Sequence, residues 1–152
     1  MLDAAGSRFI TVGGEGNVAV YTLDAGWTAA HDPDSTNFYG VWTIDADAGT
    51  AWVVGSGSSI RRFDAVAGTF DRPEEVPSSF TTALFDVWGL TPNDVWAVGD
   101  DGAVFHYDGA VWSALESGTR NQLERVRARV LPDGSRELII VGGDGTVLRH
   151  HY

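Results

Sequence analysis

The sequence predicts an all-β chain assembled from small antiparallel sheets that repeat along its length. Three observations carry this. An apolar run ending in Val-Gly, followed by a short turn and a second apolar run, recurs at Ile10-Thr11-Val12-Gly13, Trp52-Val53-Val54-Gly55, Trp96-Ala97-Val98-Gly99 and Ile139-Ile140-Val141-Gly142, with the signature glycines 42, 44 and 43 residues apart. The runs around each signature are short, rich in Val, Ile, Phe, Tyr and Trp, and bounded by Gly, Asp, Asn and Pro. No segment shows the apolar spacing of a long amphipathic helix, which excludes helical repeats.

The third unit shows the strands most clearly. Leu84-Phe85-Asp86-Val87-Trp88-Gly89-Leu90 reads as a first strand, and Thr91-Pro92-Asn93-Asp94 as a turn. Val95-Trp96-Ala97-Val98 is a second strand. Asp100-Asp101-Gly102 follows as a hairpin turn, because Asp and Gly tolerate the positive φ that tight turns require. Ala103-Val104-Phe105-His106-Tyr107 is a third strand, Asp108-Gly109 turns again, and Ala110-Val111-Trp112 opens a short fourth. The other units keep the physical type at each place. Three residues before the signature glycine stand Ile10, Trp52, Trp96 and Ile139; eight after it stand Tyr21, Phe63, Tyr107 and His150; the fourth strand carries Trp27, Phe70 or Trp112; first strands carry Val41-Trp42 and Val87-Trp88.

Four antiparallel strands in about 40–45 residues, repeated, is the period of a β-propeller blade. With strands lettered A to D outwards from the axis, the chain reads BCD, ABCD, ABCD, ABC, in units of approximately 1–37, 38–83, 84–122 and 123–152 within a single domain spanning 1–152. The first unit keeps only a remnant of strand A at Met1-Leu2, and the last stops before a strand D. Each blade buries its faces only against its neighbours, so a lone unit is not expected to fold. Closed propellers hold about 4–8 blades, which leaves three ways to finish this one. Four blades close within the chain, two chains each supply half of a larger ring, or the chain is a segment of a longer one. Repeats of this length favour the two-chain ring, a homodimer.

The phrase Asn93-Asp94-Val95-Trp96-Ala97-Val98-Gly99-Asp100-Asp101-Gly102, continued by Phe105-His106-Tyr107-Asp108-Gly109 and Trp112, resembles propeller repeats common in large surface or secreted proteins of myxobacteria and their relatives. Asp108-Gly109 with Trp112 also resembles a degenerate Asp-box of sialidase-like propellers, with shortened spacing, and Gly13-Gly14 with Tyr21 and Trp27 resembles a kelch repeat, although kelch units are longer. The resemblance implies the propeller fold and a surface or secreted setting, whereas Met1 to Gly6 lack the basic and apolar regions of a signal peptide. It implies no particular activity.

Composition narrows the function classes. The 152 residues carry 21 acidic and 10 basic side chains, all of the latter Arg, for a net charge of −11, which repels a phosphate backbone and argues against nucleic-acid binding. The absence of Cys excludes disulfides, thiol catalysis and Cys-ligated metals. No apolar run reaches the ~20 residues of a membrane-spanning helix.

Two groups of residues stand out as candidate ligand-binding positions. In Leu123-Glu124-Arg125-Val126-Arg127-Ala128-Arg129-Val130 the alternation places Arg125, Arg127 and Arg129 on one face, at the level where other blades carry Trp42 and Trp88. That stripe is either solvated and paired with nearby carboxylates, or part of an interface or anion site beside the central channel. His31, Asp32 and Asp34 fall in a connection expected to run as an exposed polar loop from Thr28 to Asn37. Such connections, with those at 71–82 and 113–122, lie on the same face as the B–C turns and differ most among the units, which makes this loop face the expected binding surface. The Asp-Gly turns are too short to gather the six or more oxygens calcium needs, and adjacent strand residues His150 and His151 point to opposite faces, so no metal and no cofactor is expected. No nucleophile elbow, zinc-protease helix or phosphate-cradling loop is present, and Arg125, Arg127 and Arg129 on one strand do not reproduce a sialidase constellation drawn from several blades. The six Trp sit at repeated positions and are expected in the packing between blades. The reading is a non-catalytic binding scaffold for a protein ligand, with a lectin-like carbohydrate-binding propeller as the alternative.

Overall fold

A computed structural model describes residues 8–34, 37–43, 49–72 and 82–152. They form four antiparallel sheets in chain order. The first holds β1 (Arg8–Val12), β2 (Asn17–Thr22) and β3 (Gly26–His31). The second holds β4 (Phe38–Thr43), β5 (Thr50–Gly55), β6 (Ser59–Asp64) and β7 (Thr69–Asp71). The third holds β8 (Leu84–Thr91), β9 (Asp94–Gly99), β10 (Val104–Tyr107) and β11 (Trp112–Leu115). The fourth holds β12 (Leu123–Val130), β13 (Arg136–Gly142) and β14 (Val147–His151). Each sheet is a meander of neighbouring strands, the arrangement of propeller blades. The Met1-Leu2 remnant lies outside the described residues.

Successive sheets pack face to face, and each interface buries its own apolar cluster. Ile10, Val18 and Val20 of the first sheet meet Ala51, Val53 and Phe63 of the second. Trp52, Val54 and Ile60 meet Val87, Val95, Phe105 and Trp112. Trp96, Val98 and Val104 meet Val126, Leu138 and Ile140. The residue three before the signature glycine acts as a knob. At the central interface Trp52 lies 5.1 Å from Tyr107 and 5.2 Å, edge-on, from Trp112, so the aromatic pair of one sheet forms the socket for the knob of the sheet before it. Ile10 faces Phe63 and Phe70 in the same way.

One expectation fails here. Trp27 occupies the socket position of the first sheet, yet it is 59% exposed, because no described residue of a preceding sheet covers that face. Repeat position predicts which way a side chain points, and burial also requires a neighbour.

Three of the four signature glycines, Gly55, Gly99 and Gly142, are fixed by space. Their φ values, such as −167° at Gly99, are extended and open to any residue. A Cβ, however, would lie 1.9 Å from the Asn37 carbonyl oxygen at Gly55, 1.9 Å from that of Ala83 at Gly99 and 2.1 Å from that of Gln122 at Gly142. Those same carbonyls accept hydrogen bonds from the next backbone N–H: Ser56 to Asn37 at 2.9 Å, Asp100 to Ala83 at 2.9 Å and Gly143 to Gln122 at 2.8 Å. At each innermost strand the register then slips by one residue, between Phe38 and Gly40, Leu84 and Asp86, and Leu123 and Arg125, a bulge repeated at the same place.

The outer hairpins are tied by carboxylates. Asp64 accepts from the N–H groups of Val66 (2.8 Å) and Ala67 (2.9 Å), and Asp108 from those of Ala110 and Val111 (both 2.9 Å). These bonds hold both carboxyls below their ordinary pKa, through Ala67 then Val66 for Asp64 and through Val111 then Ala110 for Asp108.

Two outcomes are expected. Gly99→Ala destabilises the protein in urea melts by about 3 kcal/mol, while Gly13→Ala, where a Cβ meets nothing within 4 Å, stays within about 0.5 kcal/mol of the parent. Because folding lowers the pKa of Asp64 and Asp108, their contribution is present above the unfolded carboxylate range and lost as pH falls through the folded values. The Asp64→Asn, Asp108→Asn double variant is therefore less stable than the parent at about pH 6, and the gap narrows as pH falls through the folded carboxyl values, read by Trp fluorescence.

Candidate functional site

A groove runs between the outer strands of the first and second sheets, with a cavity of about 420 Å³ lined by His31, Asp32, Asp34, Arg61, Phe70 and Arg72 among others. Its floor is an ion pair taken out of water. Asp32 is 1% exposed and Arg61 7%, and Arg61 Nε donates to Asp32 Oδ2 at 3.0 Å while its Nη2 donates to Asp34 Oδ2 at 3.1 Å. Asp34 also accepts from Arg72. The Arg72 hydrogen bond, followed by the charges of Arg72 and Arg61, outweighs desolvation and lowers the Asp34 pKa. The backbone reinforces the arrangement. Asp32 N–H donates to the Gly16 carbonyl at 2.9 Å, and Asp34 N–H to Asp32 Oδ1 at 3.1 Å. Gly16, at φ +73°, lies so close that a Cβ there would come within 2.7 Å of the Asp32 carbonyl oxygen.

The expected exposed loop from Thr28 to Asn37 is thereby corrected. Thr28 to His31 belong to β3, where Asn17 pairs with His31, and Asp32 is buried because Arg61 of the next sheet neutralises it. His31 and Asp34 remain exposed on the groove.

Arg125, Arg127 and Arg129 lie on β12, exposed and paired in register with Val141, Ile139 and Glu137. They do not converge. Arg125 Nη1 donates to the Glu124 carbonyl at 2.6 Å. Arg127 reaches back to the third sheet, 2.6 Å from Asp86 and with its guanidinium 4.6 Å above the Trp88 ring. Asp86 also accepts from the Val126 N–H at 2.9 Å. Arg129 bonds Glu137 at 2.6 Å, and Arg149 and His151 share that carboxylate. Burial alone raises the Glu137 pKa, but the bonds from Arg129 and Arg149 and their charges overcome it and leave the pKa lowered. His150 pairs with Leu138 and so points to the opposite face from His151, as strand alternation requires.

A third polar cluster escaped the sequence reading. Asp94, 2% exposed, accepts from Trp96 Nε1 at 2.9 Å and Arg136 Nη1 at 2.6 Å, lies 2.9 Å from His106 Nε2, and accepts from the Tyr152 hydroxyl at 3.1 Å. Burial foremost pushes the Tyr152 pKa up to about 12; the Trp96 bond, next in size, pulls it down, and the charge and hydrogen bond of Asp94 push it up again. Arg136 and Tyr152 belong to the fourth unit, so this cluster clamps the last two sheets together. The only prior signal was the break in pattern at Asp94, where the first two units carry Arg8 and Thr50.

No family model matches the sequence, and no curated protein sequence matches it. Among solved structures the chain is similar to YCF48 from Cyanidioschyzon merolae, with a TM-score of 0.75 and 18% identity over 99% of this chain and 49% of that one. It is likewise similar to YCF48 bound to D1 peptide, with a TM-score of 0.71 and 18% identity over 94% of this chain and 46% of that one. The likeness establishes the β-propeller fold, and the chain spans about half the length of these neighbours.

Arg61→Ala strands the Asp32 carboxylate in the interior and is expected to cost about 3 kcal/mol in urea melts. Arg72→Ala, which removes an exposed partner of Asp34, changes the midpoint far less.

Proposed function

We propose that the chain is a non-catalytic β-propeller interaction module that binds an extended protein segment on its loop face, in the groove between the first and second sheets. The observation that carries this reading is the groove itself: an open cavity of about 420 Å³ whose lip presents both signs of charge, held in place by the buried Asp32–Arg61 pair. A lip fixed before binding loses little entropy on contact with a ligand. β7 is the outermost strand of its sheet, and Thr69 and Phe70 line the groove, so its outer edge can accept an added strand while His31, Asp34 and Arg72 read side chains. A solved neighbour of this fold is bound to a peptide, which supports a peptide-sized ligand. The connections differ strongly from unit to unit, which favours one protein-binding patch over repeated sugar pockets. Self-association, two chains completing one ring, belongs to the same reading.

A peptide array and a glycan array probed with the parent chain, Thr69→Trp and Arg72→Ala test it. The expected result is a set of peptide hits that weaken at least about tenfold in both variants. Hits confined to one sugar class, or peptide binding indifferent to both substitutions, overturn it.

A further inference from the structure

The two end faces of the arc are the two halves of the internal sheet-to-sheet interface, each without its counterpart among the described residues. On the first sheet, Phe9, Tyr21 and Trp27 stand side by side across β1, β2 and β3 and point away from the second sheet. Tyr21 and Trp27 lie 5.3 Å apart, and Phe9 meets Trp27 edge-on at 6.0 Å. These are the socket positions that Phe63 with Phe70, and Tyr107 with Trp112, fill at the internal interfaces. On the fourth sheet, Leu138 and Ile140 face the third sheet, so Ile139 and Val141 point outwards, joined by Val147, which is 67% exposed. Ile139 holds the knob position of Ile10 and Trp52.

We infer that the outer face of the fourth sheet docks on the outer face of the first sheet of a second copy of this chain, Ile139 entering between Tyr21 and Trp27 as Ile10 enters between Phe63 and Phe70. Two such contacts, related by a two-fold axis, close one ring. Two features select this occupant. The first is continuity: the docking repeats the register of the internal interfaces, and Ile10 and Ile139 are the same residue type. The second is charge. Units 123–152 hold five Arg and four acidic residues, whereas the preceding 122 residues hold five Arg and 17 acidic residues, so a basic end meets an acidic body. The cations flanking Ile139 on the outward face are Arg129 and Arg149, which hold Glu137 between them, and an aromatic face suits a guanidinium, as Arg127 over Trp88 shows. This inference rests on the self-association part of the proposed reading and uses neither the groove nor its ligand, so a failed ring leaves the peptide groove untouched and a failed groove leaves the ring untouched.

Light scattering at tens of micromolar chain is the test, with no ligand present. The parent chain is expected near 33 kDa, about twice its 16.3 kDa mass. Ile139→Asp and Trp27→Asp each weaken self-association by at least about 30-fold. An equimolar mixture of the two variants returns a particle of dimer mass, because one sound knob and one sound socket remain. Val147→Asp and Tyr21→Asp replace any variant that loses its near-ultraviolet circular dichroism. A parent chain that stays at the mass of one copy, a mixture that stays monomeric, or a ladder of larger particles overturns the proposal. Peptide binding lost in Thr69→Trp with an unchanged dimer mass separates the groove from the ring.

Discussion

Everything in the arc depends on how each connection between sheets is gripped. The chain leaves the outer strand of one sheet and enters the inner strand of the next, and on the way its backbone passes between two B–C turns. The sheet it leaves holds it through Gly16 against Asp32, Ser58 against Thr82, and Gly102 against Thr119. The sheet it enters holds it at Gly55, Gly99 and Gly142, where a carbonyl occupies the space of a missing Cβ. Backbone contact this close sets the distance between sheets before any side chain packs. The apolar knobs then fill a gap whose width is already given.

This explains which parts of the molecule were legible in the sequence. The glycine period and the aromatic positions are local rules applied four times, so strand order and the incomplete first and last sheets could be read from residues such as Trp52 and Tyr107. Trp27 obeys the same rule and is nevertheless exposed, because burial depends on a neighbour that local pattern does not encode. Asp32 looks like a loop carboxylate in the sequence because its partner, Arg61, stands 29 residues away in another sheet. The Asp94 cluster is hidden from local pattern for the same reason: Arg136 and Tyr152 arrive from 42 and 58 residues downstream. Period gives the scaffold, while polar clusters between sheets are particular to one interface each.

The heavy excess of Asp has a structural side. Asp64, Asp108 and Asp133 each accept backbone N–H groups within their own turns, and Asp32 and Asp86 tie one sheet to the next. Much of the negative charge is thus spent on local geometry. The Arg residues are distributed otherwise: Arg61, Arg127 and Arg136 each cross a sheet boundary to reach a carboxylate. Acidic groups shape turns, and guanidinium groups join neighbours.

The recurring bulge at the start of β4, β8 and β12 bears on ancestry. Because every inner strand is bent at the same residue and seated by the same glycine, one unit can be duplicated or deleted in frame and its flanking units still meet in register. A gene of this kind lengthens or shortens by one spoke of the wheel at a time, and the circumference of the finished assembly becomes something recombination can adjust in single steps.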